Sequence, residues 1–170
     1  MFFSKRGTLL RVMAVLFSSA VLSGCLGYTS YRGEFAAQLA GLSVEVFENK
    51  TLYSGLEFDL TRAVQEEVTR RTGAPLAERS AARVVLSGRL TQFSPREALT
   101  IGRGDTVLDR QAVAAASVTL RGADGQVLYE SAGISASVTY SASGGSEEVA
   151  RQDVMKELAR RIVFALLDRW

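Results

Sequence analysis

Residues Leu42–Gly73 read LSVEVFENKTLYSGLEFDLTRAVQEEVTRRTG: a short strand, a tight turn and a helix, in that order. Leu42, Val44 and Val46 alternate with Ser43 and Glu45, the period of two of a strand with one face buried. Phe47 continues the polar side and the alternation stops there. Glu48-Asn49-Lys50-Thr51 is turn chemistry, since asparagine tolerates left-handed backbone and can bond its own chain two residues on. A helix follows. Ser54 and Glu57 have the spacing of a capping box, and Asp59 adds negative charge to the first turn, where the helix dipole favours it. Leu56, Leu60, Ala63, Val64 and Val68 form an apolar stripe at helical spacing; Glu57, Arg62, Glu66, Glu67, Arg70 and Arg71 cover the other side. Arg70 and Arg71 in the last turn, Gly73 as C-cap and Pro75 beyond it mark the end. Such a helix cannot bury its stripe alone, so the rest of the chain must supply a sheet.

Downstream, Leu76–Ala82 reads as a connector. A strand is expected over Arg83–Phe93, with Val84, Leu86, Gly88 and Leu90 on one face and Ser87, Arg89 and Thr91 on the other. Ser94–Asp109, with Pro95, Gly102 and Gly104, reads as a loop or hairpin tip. A third strand, Arg110–Arg121, puts Ala112, Ala114, Ala116, Val118 and Leu120 on one face; side chains this small suit the close approach of a helix. Gly122-Ala123-Asp124-Gly125 is a hairpin turn signal. A fourth strand, Gln126–Tyr140, puts Leu128, Ala132, Ile134, Ala136 and Val138 opposite Ser131, Ser135, Ser137 and Thr139. Gly144-Gly145 then breaks the chain, and Ser146, Glu147 and Glu148 open a final helix. Val154, Met155, Leu158, Ile162, Ala165 and Leu166 make its stripe. Alternating apolar and hydroxyl faces predict an antiparallel sheet covered on one side. The expected architecture is α+β: two helices packed on one face of a four-stranded, mainly antiparallel sheet, in the order strand, helix, three strands, helix. Phe47 and Phe58 are expected to pack in the core or its turns; Phe164 and Trp170 are expected to pack on the core, with a partner-facing position as the alternative.

Residues 1–24 have the pattern of an export leader. Lys5, Arg6 and Arg11 precede the apolar run Val12–Val21, too short for a bilayer that needs roughly 20 residues. Leu22-Ser23-Gly24-Cys25 resembles the bacterial lipobox, in which cleavage precedes an acylated cysteine. The plainer alternative, an ordinary secretory leader with a chance cysteine, leaves the position and the small residues unexplained. Leu26, where an aspartate would signal inner-membrane retention, implies the outer membrane. Cys25 is the single cysteine, so no intrachain disulfide can form. A covalent lipid is its expected fate, and several acyl chains anchor stably where one is marginal. The expected organisation is a leader at 1–24, a lipidated tether at 25–41 and one domain at 42–170. Without the leader, the 20 basic residues fall to 17 against 18 acidic ones. The basic balance therefore belongs to the leader and gives no case for a nucleic-acid partner.

The chain resembles the LPS-assembly lipoprotein family LptE. The resemblance runs from Cys25 to Trp170. It rests on the lipobox with Gly27-Tyr28 just after it and on VEVFENKTLYSGLEFDLTRAVQEEVTRRT at 44–72. VVLSGRLTQF at 84–93, SASVTYS at 135–141 and the helix after Gly144-Gly145 add to it. Leu26 departs from the pattern, since many relatives read Cys-Gly-Tyr directly. The resemblance implies an outer-membrane lipoprotein on the periplasmic side. Its partners would be an LptD-type barrel, which it would plug, and lipopolysaccharide. Phe47-x-Asn49-x-Thr51 also resembles lipoproteins that activate peptidoglycan synthases and those of curli-type secretion, which remain the alternative.

Catalytic chemistry has few candidates. There is no histidine, the commonest general base and metal ligand, and no serine has a histidine to activate it. Glu66-Glu67 and Glu147-Glu148 are adjacent on helices and point about 100° apart, so neither pair converges. Gly102-Arg103-Gly104 is a fragment of a phosphate loop without its strand and helix. No enzyme, metal or cofactor is expected beyond the lipid on Cys25. Arg96, Arg103 and Arg110 flank the 94–109 segment and are candidate contacts for lipid A phosphates, which arginine forks bind in paired geometry. Glu97, Asp105 and Asp109 lie among them, so a self-neutralised surface loop is the competing reading. The hydroxyl-rich sheet face suits either a polar barrel lumen or plain solvent.

Overall fold

Strand β1 (Leu42–Val44) lies parallel to β3 (Val84–Ile101), pairing Leu42 with Val84 and Val44 with Leu86. The computed structural model describes residues 39, 41–101 and 107–168, without the side chains of 97–101. The 1–24 leader, Cys25, almost all of the tether, Arg103, Asp105 and Trp170 lie outside the described residues.

β1 does not continue to Val46 as its alternation implies. The chain leaves the sheet after Glu45, whose N–H still reaches the Leu86 carbonyl at 2.9 Å. It rejoins β3 as a two-residue strand, β2 (Glu48–Asn49), paired parallel with Arg89 and Leu90. From Val44 to Glu48 the edge advances four residues while β3 advances three, from Leu86 to Arg89. One extra residue reverses the in–out phase. Val46 therefore points outward, 59% exposed, and Phe47 turns into the core.

Helix α1 (Leu56–Thr72) buries Leu56, Leu60, Val64 and Val68 as its stripe requires. The capping box does not form. Gly55, at φ +89°, takes the N-cap position without a side-chain bond, and Glu57 turns to Asn49 instead. A left-handed residue costs glycine little, and it leaves Ser54 one position outside the helix. The C-cap forms as expected: Gly73, at φ +68°, donates its N–H to Thr69 O at 2.8 Å. The connector carries a single 3₁₀ turn at Arg79–Ala81. On its way Ala77 N–H bonds Leu42 O, which closes part of the β1 edge.

The expected 94–109 loop is largely strand. β3 runs on to Ile101 and β4 spans Val107–Gly122, so the two form one long antiparallel hairpin. Pro95 sits at a register irregularity between Ser94 and Glu97, the kind of place where a missing N–H is tolerated in a strand. After the turn, where Gly125 adopts φ +83°, β5 (Val127–Ser141) pairs antiparallel with β4. A second register shift, between Ala116–Ile134 and Val118–Ser131, puts Ala132 on the surface. It hands the inward position opposite Leu120 to Tyr129, which packs against the core. The sheet order is β1-β3-β4-β5, with β2 also on β3. Five strands replace the expected four because the parallel edge is split in two.

Helix α2 (Glu147–Leu167) starts at Ser146, whose Oγ accepts from Val149 N–H. It buries Val154, Met155, Leu158, Ile162, Val163 and Leu166 against the small face of β4, where Ala112, Ala114 and Ala116 are fully buried. Both helices lie on one face of the sheet and pack on each other. β2 and β5 run in the same direction as β3, so both helices begin at the end of the sheet towards which β3 runs. Phe58 and Phe164 are exposed, at 62% and 58%. Each is two residues from buried positions on its own helix, about 200° around it, and so faces water rather than the core.

Candidate functional site

The 47–57 segment is held as a clasp around one side chain. Asn49 Oδ1 accepts from Thr51 N–H at 2.9 Å and from Thr51 Oγ1 at 2.8 Å. Its Nδ2 donates to Tyr53 O and to Glu57 Oε2, both at 2.7 Å. Thr61 Oγ1 takes the Phe47 N–H at 3.0 Å and donates to Glu57 O at 2.6 Å, so the turn is tied to α1 twice. The Tyr53 ring meets Phe93 edge-on at 5.0 Å. The expected self-bonding turn at Asn49 is therefore present. With its amide engaged on both sides, Asn49 is a structural hub rather than a free ligand. What the clasp presents is Leu52, fully exposed at its tip, an apolar residue among turn formers that the sequence offers as its only clue.

Glu57 is held below the usual carboxylate range by its own backbone N–H and by the Asn49 amide. A lowered pKa means the contribution is complete above the ordinary value near 4.3 and fades as pH falls towards the folded-state value. The ratio of the amide exchange rates at Thr51 and Tyr53 in wild type to those in a Glu57→Gln variant, which cancels the base catalysis of exchange itself, is expected to be flat from pH 7 to about 5 and to rise below about 4, as NMR on the intact chain would read. A variant with the same pH profile as wild type would remove Glu57 from the clasp.

The candidate arginines have separate fates. Arg96 is exposed and pairs with Glu147 in the first turn of α2, and that carboxylate raises the guanidinium pKa. Beside it, Tyr140 OH donates to Pro95 O. Arg96 thus fastens the start of α2 to the irregular part of β3. Arg110 stands opposite Tyr140 on β4, two residues from buried Ala112, and so lies on the helix side of the sheet. Asp109 pairs with Ser141. The structure brings Arg96 and Arg110 to the same end of the same face; Arg103 lies outside the described residues, as does the side chain of Glu97. The Arg96–Glu147 pair joins residues 51 apart, which no sequence spacing could suggest.

The other sheet face carries Ser87, Thr91, Ser117, Thr119, Ser135, Ser137 and Thr139, and no described helix covers it. It is buried only at its start, around Ser43 and Val85. Ser87 and Thr91 bond carbonyls of β4, at Thr119 and Ala115. Along the parallel edge, Glu48 pairs with Lys50 and Arg89, and Glu45 with Arg79. Among the described residues no group of acidic residues could hold a metal ion, and no helix is long and apolar enough to cross a membrane.

The model of the lipopolysaccharide-assembly family LptE matches residues 39–166. The chain belongs to the LptE family. This LptE chain is thus a member of a non-enzymatic lipoprotein family of the cell envelope. No curated protein matches it. Among solved structures it is similar to a candidate lipoprotein from Caulobacter crescentus, with TM-score 0.56 and 17% identity over 81% of this chain and 96% of the other. A hypothetical protein from Chlamydia trachomatis gives 0.54 and 11%, over 75% and 95%. A protein from Xanthomonas campestris gives 0.53 and 13%, over 76% and 84%. At these identities the likeness is one of fold.

Proposed function

We propose that this LptE protein is an outer-membrane lipoprotein, acylated at Cys25 and facing the periplasm, that assists lipopolysaccharide assembly as plug and partner of an LptD-type barrel. Family membership supports the lipopolysaccharide role. The observation that carries the plug is the uncovered, hydroxyl-rich sheet face. Serine and threonine oxygens spaced along strands can exchange water for the polar groups of a barrel interior, and each is short enough to let the two surfaces approach. The helix face cannot serve in that way, because its apolar side is already spent on the core. The lipid would hold the domain at the inner leaflet of the outer membrane. Arg110 and Arg103 are the cations proposed to meet lipopolysaccharide phosphates, since Arg96 is engaged by Glu147.

The test is a mild-detergent pull-down of the tagged, lipidated protein from outer membranes, with mass spectrometry of what accompanies it. A large barrel of the lipopolysaccharide-export type is expected. A peptidoglycan synthase, or a curli-type secretion partner, would replace the reading with its alternative. Cys25→Ala is expected to release the protein from membranes while leaving its melting curve unchanged. If that variant still fractionated with outer membranes lacking the barrel, the anchor assignment would fall.

A further inference from the structure

The two edges of the sheet are guarded very differently. On the β1–β2 side the strands are only three and two residues long. Ala77 covers Leu42 O, and Glu45, Glu48 and Lys50 line the rim. Short strands and charges of this kind keep foreign strands away. On the other side β5 is 15 residues long, contains no proline or lysine, and bears one charge, Glu130.

Its hydrogen-bonding phase can be read from its neighbours. Ala142 N–H bonds Leu108 O, in the same register as Tyr140 with Arg110 and Val138 with Ala112. Even-numbered residues here therefore face β4, and the backbone groups of Ser135, Ser137, Thr139 and Ser141 face outward. Two of these are taken: Arg161 of α2 donates to Ser135 O at 2.8 Å, and Gly145 N–H to Ser141 O at 2.9 Å. Between them, among the described residues, the N–H and C=O of Ser137 and of Thr139 have no protein partner. Arg161 and Gly145 bracket an open stretch of strand, and the register shift at Ala132–Gly133 limits it on the Arg161 side.

We propose that this open edge of β5 associates with the same edge of a second copy, antiparallel about Ser137, joining two sheets into one. The sequence of the stretch is what selects a second copy. Residues 135–141 read SASVTYS. Antiparallel pairing about Ser137 sets Ser137 against Ser137, Ser135 against Thr139 and Ala136 against Val138. Hydroxyls meet hydroxyls on the open face and small apolar groups meet on the helix face, both favourable cross-strand pairs. No charge lies within the stretch, so no like charges oppose each other across the two-fold axis. The interface is isologous and closes as a dimer, with main-chain bonds supplying the affinity as in other strand additions. Arg161 would then share Ser135 O, which has a second lone pair, with the incoming Thr139 N–H.

The test is Ser137→Cys in the full-length protein, kept in mild detergent, with Ser117→Cys on the central strand β4 as the control. Facing residues of an outward-bonded antiparallel pair lie about 5.5 Å apart at Cα, inside the range a disulfide spans. Mild oxidation is expected to give a disulfide-linked dimer with Ser137→Cys and no more than the parent level with Ser117→Cys. Sedimentation of the parent is expected to show a monomer–dimer equilibrium that Ser137→Pro, which deletes the outward N–H, and Thr139→Lys both shift to monomer without loss of cooperative melting. A parent monomeric at every concentration, equal cross-linking by Ser117→Cys, or cross-linking only to a different protein would each overturn the proposal. It stands apart from the barrel reading, whose failure would show in the pull-down and leave the dimer untouched.

Discussion

Leu60→Asp is expected to abolish cooperative thermal unfolding of the domain. Leu60 is completely buried in the middle of α1, within a cluster that includes Leu42, Leu56, Val64 and residues of β3. A carboxylate there loses its hydration and finds no cation. The acid–base pairs of the helix leave no cation for it: Arg62 is exposed and engaged by Asp59, and Arg70 and Arg71 in the last turn are already engaged by the buried Glu67. Burying an unpaired charge costs several kcal/mol, against a total stability on the order of 5–15 kcal/mol for a domain of this size. The control is Leu60→Met, which keeps volume and polarity and should cost less than about 1.5 kcal/mol. Circular dichroism melts of both variants decide the matter. A wild-type-like transition in Leu60→Asp would mean that this helix face does not pack on the sheet.

The second large effect is expected at the contact between Phe47 and Gly88. Phe47 lies with its ring flat against the place where Gly88 has no side chain. A Cβ built there would come within 2.7 Å of Phe47 Cδ1 and closer still to Cε1. Real Cβ atoms do not approach so near, and the ring is fully buried, so it has nowhere to retreat. Gly88→Ala is expected to cost about 1–3 kcal/mol by overpacking. Phe47→Ala should cost about 3–5 kcal/mol through the cavity it leaves. In chemical denaturation, Phe47→Leu combined with Gly88→Ala should be less damaging than the sum of the single changes, because the smaller side chain makes room for the methyl group. Strict additivity would show that the two residues are not in contact. The consequence extends to the clasp. Phe47 N–H is held by Thr61, and Asn49 is two residues further on, so a displaced ring would loosen the turn that presents Leu52.

The fold was legible where one periodicity dominates a long segment. The stripe of α1, the alanine face of β4 and the cap of α2 at Ser146 were all readable, because helix and strand periods are set by backbone geometry alone. Reading failed where a single extra residue changes the phase. Val46 and Phe47 exchange places at the edge, and Ala132 yields to Tyr129 on β5, because a bulge leaves no mark in composition. Pro95 and the charges after it looked like a loop, yet a strand can carry them at an irregular step. Capping went astray for a similar reason. Ser54 and Glu57 had the right spacing, but Glu57 had a better donor in Asn49, and only the folded turn brings that donor near.

What the sequence determined by itself was the α+β class, the apolar stripes of the two helices and the membership signalled by residues 44–72. It also showed the poverty of catalytic groups, which follows from having no histidine and one cysteine. What the tertiary structure decided was which polar residues are free to act. Arg96 meets Glu147 across 51 residues, Asn49 is enclosed by its own turn, and Ser137 and Thr139 are left at an open edge. Spacing along a chain encodes periodic local geometry. Whether a charge, an amide or a peptide group already has a partner depends on segments that meet only when the sheet has closed over its helices.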